Sequence, residues 1–311
     1  MQKILVIKLG ALGDFVLELG GMMEVRRRFP DAQLTLMTNK AFLPIAKQAG
    51  IFTDYIIDNR VSWFNLKQQS RLVREVTSGG FEYIFDFQCV SRTEKKYFPI
   101  FRWFMPHSFT WVSARKSFAW KVEKTRRLGL GKLTREDYPF SMPVTDLSFL
   151  HGENKYFNEL PERYVMLIPG CSPNHPHKRW PIAYYSELAQ RLAEKGIHSV
   201  VIGTKAEEAE ITAIASSTPM GVSMLNKTSL LDIPDLARRA LATVGNDTGP
   251  SHMASLSCAP TIAIYDKRTA VGALRGPRSI NMVSPSTIDL ITVDMVWEKL
   301  LPILEEASPE A

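Results

Sequence analysis

Asn246-Asp247-Thr248-Gly249-Pro250-Ser251-His252 is the stretch on which the reading of this chain turns. An apolar run, Ala240 to Val244, precedes it, and Met253-Ala254-Ser255-Leu256 follows. The order predicts a strand that ends in an acid, turns tightly at Gly249 and opens a helix at Pro250 and Ser251. Proline suits a first helical turn because its missing N–H would have had no partner there. The free N–H groups and positive dipole end of such a helix make an anion site. An acid beside that site is out of place unless it holds something uncharged, such as sugar hydroxyls. Together these features point to a nucleotide sugar.

Working outward, strands and helices alternate on both sides of the motif. Before it come a strand at Tyr164–Ile168, a helix at Ile182–Lys195, a strand at Ser199–Ile202 and helices at Ala206–Ser216 and Ile233–Ala240; the motif's own strand is Ala242–Gly245. After it come a strand at Thr261–Tyr265 and an amphipathic closing helix at Met295–Glu306. The first half repeats the pattern, with strands at Lys3–Lys8, Gln33–Met37, Tyr55–Ile57 and Tyr83–Phe87, and helices at Phe15–Arg28, Ala41–Ala49 and Leu66–Thr77. Such alternation indicates βαβ units and parallel sheets. Between Leu128 and Pro161 the pattern dissolves into turn-rich sequence. The expected plan is α/β, with two doubly wound, Rossmann-like domains at 1–155 and 156–311, the last helix a candidate to pack back on the first domain. Ligands of such folds sit beyond the carboxyl ends of the strands, here expected in a cleft between the lobes.

Composition fits this plan. A chain of 311 residues, 45% hydrophobic and 23% charged, suits two globular cores rather than one. Three widely separated cysteines, Cys89, Cys171 and Cys258, have no metal-ligand spacing and fit a reduced, cytoplasmic setting. Lys8 and Asp14 interrupt the apolar run at Ile4–Ile7 too early for a signal peptide. No apolar run approaches the roughly 20 residues needed to span a bilayer, so a soluble or peripheral protein is expected. The net charge of +6 is uneven: twelve Lys and Arg stand against Glu94 and Glu123 between Arg92 and Arg135, among nine aromatic residues. Two readings stay open there. One is a pair of amphipathic core helices with solvated basic faces; the other is a surface for an anionic membrane or a phosphorylated lipid. No recognised nucleic-acid module is present.

Further residues carry candidate chemistry. The first strand runs into Lys8-Leu9-Gly10-Ala11-Leu12-Gly13-Asp14, which meets neither the dinucleotide fingerprint nor the Walker pattern. Asp14 there is either a helix N-cap or a general base needing a hydroxyl within about 3 Å. In Pro169-Gly170-Cys171-Ser172 through Lys178-Arg179-Trp180-Pro181, Ser172 and Lys178 can point at an anion, while Arg179 and Trp180 read as structural. His175, His177 and the distant His252 make a weak case for metal. Glu207 either offsets a helix dipole or accepts the hydroxyls of a ribose.

Taken together, these segments resemble the ADP-heptose:lipopolysaccharide heptosyltransferase family, glycosyltransferase family 9. The likeness rests on K-L-G-A-L-G-D at Lys8–Asp14, D-F-Q at Asp86–Gln88, P-G-x-S with K-x-W-P across Pro169–Pro181, G-x-x-x-E at Gly203–Glu207 and D-T-G-P-S-H at Asp247–His252. It implies the GT-B architecture and an inverting, metal-independent transfer of heptose from a nucleotide donor, ADP-heptose, to a lipopolysaccharide core acceptor, without a cofactor. It implies Asp14 as catalytic base with Gly13 beside it. Ser172, Lys178, Thr248 and Gly249 would hold the donor diphosphate, Glu207 the ribose and Asp247 the transferred sugar, with His252 in support. Arg92, Lys95, Arg115 and Lys116 would meet a lipid-linked, phosphorylated acceptor at the cytoplasmic face of the inner membrane. One departure stands out: Asp266-Lys267-Arg268-Thr269 replaces the family's usual G-P-T-x-P loop. A two-lobed sugar-nucleotide epimerase and a noncatalytic sugar-nucleotide or lipid-binding relative are the alternatives.

Overall fold

The computed structural model describes residues 1–60, 62–114, 120–124, 134–137, 143–268 and 273–307. The chain divides into two compact units, Met1–Thr145 and Asp146–Ala311. The first contains β1 (Lys3–Lys8), α1 (Leu12–Arg28), β2 (Gln33–Thr38), α2 (Leu43–Gln48), β3 (Asp54–Ile57), α3 (Leu66–Ser78), β4 (Tyr83–Asp86), α4 (Phe98–Phe104), β5 (Thr110–Ala114), β6 (Trp120–Lys124) and β7 (Thr134–Asp137). Its sheet has the order β3-β2-β1-β4-β5-β6-β7, parallel through β5 and antiparallel beyond. Ile4, Leu5, Val6 and Ile7 of β1 are fully buried, as expected of a central parallel strand covered on both faces.

The second unit contains β8 (Tyr164–Ile168), α5 (Ile182–Glu194), β9 (His198–Gly203), α6 (Glu208–Ala215), β10 (Gly221–Leu225), α7 (Asp232–Arg239), β11 (Ala242–Asn246), α8 (Gly249–Leu256), β12 (Thr261–Tyr265), β13 (Ser279–Val283) and α9 (Val293–Glu306). All six strands are parallel in the order β10-β9-β8-β11-β12-β13. This is the doubly wound arrangement, with its switch in strand order between β8 and β11. Tyr185, Leu188, Ala189 and Leu192 of α5 recur at helical spacing and are buried against this sheet. Val293, Val296, Leu300 and Leu304 of α9 join the same core, and Arg191 of α5 pairs with Asp294 at 2.7 Å.

The boundary falls ten residues before the expected 155/156 because acids of α7 capture the extended segment that follows it. Asp235 accepts from the Gly152 N–H (2.9 Å) and the Asn154 amide (2.8 Å), while Asp232 accepts from the Asn154 N–H (3.0 Å). Burial alone would raise the Asp235 pKa; the bonds from Asn154, Gly152, Arg238 and His151 bring it down to about 2. The Leu147 N–H also bonds the Leu256 carbonyl at 2.9 Å. Among its described residues, the basic segment is likewise not a pair of helices. Its described part is the single short helix α4, after a π-helical turn at Thr93–Tyr97, followed by strands β5 to β7. The buried Trp111 and Val112 belong to a strand that β4 and β6 flank.

Candidate active site

In the second unit the motif strand ends one residue later than expected, at Asn246, and α8 starts at Gly249. Asn246 is fully buried, and both polar atoms of its side chain are engaged. Its Oδ1 accepts from the Trp180 N–H (3.0 Å) and the Tyr185 hydroxyl (3.2 Å), and its Nδ2 donates to the Pro169 carbonyl (2.6 Å). The tip of β11 thus grips both ends of the 169–181 loop that follows β8. The Ser251 hydroxyl donates to the Asn246 carbonyl at 2.7 Å and draws α8 onto the strand end. Gly245 permits this approach, since a Cβ there would lie 2.6 Å from Ser251 Oγ and 2.8 Å from Ile168 Cβ. Trp180 is buried beneath the loop, as expected, and donates its indole N–H to the Ile291 carbonyl.

This scaffold brings Lys178 and Asp247 together. Lys178 Nζ lies 2.6 Å from Asp247 Oδ2, and His252 Nε2 lies 3.4 Å from Oδ1. Asp247 is only 8% exposed. Burial would raise its pKa, but the hydrogen bonds from His252 and Lys178 outweigh this and leave it lowered. His252 Nδ1 is buried without a hydrogen-bond partner among the described residues. A bare ring nitrogen tolerates that better than an N–H, which favours the tautomer donating from Nε2 to Asp247. Thr248 occupies the N-cap of α8 with extended backbone and makes no side-chain cap bond. The first N–H groups of α8, starting at Gly249, are an anion-ready edge beside the Lys178 ammonium.

Ser172 sits exposed in the loop after β8, where its carbonyl accepts from the His175 N–H. Glu207 lies against Gly170, its Oε1 3.3 Å from where a Cβ would stand. It also closes a capping box: Oε2 accepts from the Thr204 N–H (3.0 Å) and hydroxyl (2.6 Å). Its place beyond the tips of β8 and β9 and its helix-end role are therefore both real. Asp266 and Arg268, in the departing loop, form a bidentate pair with both N···O distances at 2.7 Å. Hydrogen bonds from the Arg268 side chain and backbone hold the Asp266 carboxyl below the usual range.

In the first unit, Asp14 is not the N-cap of α1. The helix begins at Leu12 with Ala11 as its cap, and Asp14 is the third helical residue, half-buried, behind the buried Gly13. An acid in the first turn offsets the helix dipole without capping it. Arg92 is 14% exposed and bonded to Asp58 at 3.2 Å, with its guanidinium over the Trp63 and Tyr97 rings at 4.9 and 5.3 Å. Lys95 is exposed. Arg115 and Lys116 lie outside the described residues. Sequence reading missed Asn246, Asp58 and the buried Lys8, whose partners come from distant segments. Among the described residues no three His, Cys, Asp or Glu side chains gather as a metal site, and no helix is long and apolar enough to cross a membrane.

Comparison with known proteins decides the family. The model for glycosyltransferase family 9 (heptosyltransferase) matches residues 110–276, more than half of the chain. The chain belongs to glycosyltransferase family 9. It is 28% identical over 140 residues to lipooligosaccharide heptosyltransferase 2 of Haemophilus ducreyi, covering 43% of this chain and 38% of that one. It is 31% identical over 142 residues to lipopolysaccharide heptosyltransferase 2 of Escherichia coli K12, covering 42% and 40%. These matches thus span about two fifths of the curated relatives' length. The fold is similar to E. coli heptosyltransferase WaaC with ADP, at a TM-score of 0.71 and 16% identity over 97% of this chain and 100% of that one. At that identity the likeness concerns the fold, and it places this family 9 member in the GT-B architecture.

Proposed function

We propose that this family 9 protein transfers heptose from ADP-heptose to a hydroxyl of a lipopolysaccharide core acceptor, with inversion and without a metal. The observation that carries the reading is the meeting of Lys178, Asp247 and the open end of α8 at the switch in strand order between β8 and β11. An ammonium beside free N–H groups suits a diphosphate, and a buried carboxylate next to it suits hydroxyls rather than more negative charge. Ser172, Thr248 and Gly249 complete the diphosphate contacts in this reading. Glu207 takes the ribose through Oε1 while Oε2 keeps its capping bonds.

Asp14 then removes the proton of the acceptor hydroxyl as its oxygen attacks the anomeric carbon opposite the leaving diphosphate. Charge that builds on the diphosphate is met by Lys178 and the α8 N-terminus, donors fixed in place before the reaction. Asp247 orients the sugar, and His252 fixes the Asp247 carboxylate. Arg92, Lys95, Arg115 and Lys116 contribute positive charge toward a lipid-linked, phosphorylated acceptor. On this reading the protein works as a peripheral enzyme at the cytoplasmic face of the inner membrane.

The test is to incubate the protein with ADP-heptose and a truncated lipid acceptor and to measure ADP. Acceptor-dependent ADP release is expected. Donor isomerisation without release would replace the proposal with an epimerase, and donor binding without turnover would leave a noncatalytic relative.

A further inference from the structure

We propose that Lys8 and Gln88 are positioning residues for Asp14: they fix the turn between β1 and α1 and balance the charge one helical turn below the base. The inference rests on reading Asp14 as the base. Lys8 ends β1 with its side chain 2% exposed, where an ammonium is costly unless paired. Its Nζ donates to the Phe87 carbonyl just beyond β4 (3.1 Å) and to Glu18 of α1 (2.5 Å). Glu18 follows Asp14 by four residues, so both carboxylates lie on one face of α1. Leu9, Gly10 and Ala11 alone separate β1 from α1. The Leu9 N–H is held by Gln88 Oε1 at 2.8 Å. Gln88 is itself held, because its N–H and that of Cys89 both donate to the buried Asp86 Oδ1.

The charges around this node are unequal. The Cys89 thiol is raised by burial first, then by the negative charges of Asp86, Glu18 and Glu94, against which Lys8 acts as the opposing cation. Arg60, beyond β3, also approaches, its guanidinium 3.3 Å from where a Cβ on Gly10 would stand. Removing the Lys8 charge takes its cation from Glu18 and makes the surroundings of Asp14 one charge more negative. A base is active when deprotonated, and added negative charge beside it disfavours that form, so the acid limb of kcat/KM moves to higher pH.

The experiment measures pH profiles of transfer for Lys8→Met, Lys8→Met/Glu18→Gln and Gln88→Ala, with donor affinity by calorimetry. Lys8→Met is expected to move the acid limb up by about one pH unit, and the added Glu18→Gln should return it. Gln88→Ala should lower kcat roughly ten- to hundredfold without changing donor affinity or moving the limb. An unmoved limb in Lys8→Met, or a limb the double variant does not restore, overturns the charge role. Wild-type kcat in Gln88→Ala overturns the positional one. If Lys8→Met does not fold, Glu18→Gln alone decides the charge role, since it should lower the limb, and an unmoved limb refutes it. Asp14→Asn is the separate control: full activity there defeats the base reading itself, whatever the other variants do.

Discussion

The two units solve the same problem with the same device and then diverge in charge. Each sheet places its first strand beside its fourth, and in each an amide from the end of the fourth reaches back to the chain leaving the first. In the second unit Asn246 holds Pro169 and Trp180; in the first Gln88 holds Leu9. The cation is where they part. Lys178 stays 21% exposed in its pair with Asp247, near the N-terminus of α8, whereas Lys8 is sealed in and spent on Glu18 and Phe87. On the proposed reading, one crevice is arranged to receive an anion and the other to keep the base, Asp14, in working order. Shared topology provides the frame, and the exposure of one lysine sets what each frame can do.

That comparison is most sharply broken at the two chemical residues. Asp14→Asn is expected to cut transfer by about 10²–10⁴-fold while leaving donor affinity intact, measured as kcat beside calorimetric Kd. Lys178→Ala should weaken donor affinity and kcat together, by roughly ten- to hundredfold in kcat/KM, since on the proposed reading it meets charge that grows in the transition state. An effect on Kd only would make the second crevice a binding cradle without a part in catalysis.

The amide clamp predicts a stability effect instead. Asn246→Ala orphans Trp180 N–H and Pro169 C=O and should cost about 2–4 kcal/mol in urea unfolding; a loss below 1 kcal/mol would deny the clamp its role. Asp86, beneath Gln88, predicts a pH dependence. Burial raises its pKa from 3.8 to about 6, so the folded state holds more protons than the unfolded state between those values. Stability then falls as pH rises through that window, by roughly 2–3 kcal/mol at most. Asp86→Asn should remove that slope and be the more stable form at pH 7. The smallest expected effect is ionic: raised salt should weaken acceptor affinity more than donor affinity if exposed cations such as Lys95 meet the acceptor.

Much of the frame was legible in the sequence. Lys3–Lys8, Tyr164–Ile168 and Thr261–Tyr265 have the bounds expected of them because a central parallel strand is an unbroken apolar run. Gly221–Leu225 and Ser279–Val283 escaped because they are edge strands, only partly buried, and their mixed composition carries no clear period. Asp247 and Lys178 could be found as candidates because they sit in short motifs. Their contact could not, since 69 residues separate them and the 169–181 loop must first be folded under Asn246. Asn246 itself reads as a turn residue at a strand end. Lys8 reads as the polar stop of a strand, and Glu18 and the Phe87 carbonyl, both on other segments, make its burial tolerable.

The closed Lys178–Asp247 pair has a consequence for how the site would empty. A diphosphate that took Lys178 would deprive Asp247 of its nearest partner and leave a nearly buried carboxylate facing new negative charge. A donor that still carries its sugar offers hydroxyls in compensation, whereas the bare nucleotide left after transfer offers none. The pair then re-forms at the expense of the product. On the proposed reading, the same two side chains that would admit the intact donor would also favour expulsion of what remains of it, and Asp247→Asn should narrow the gap in affinity between the two.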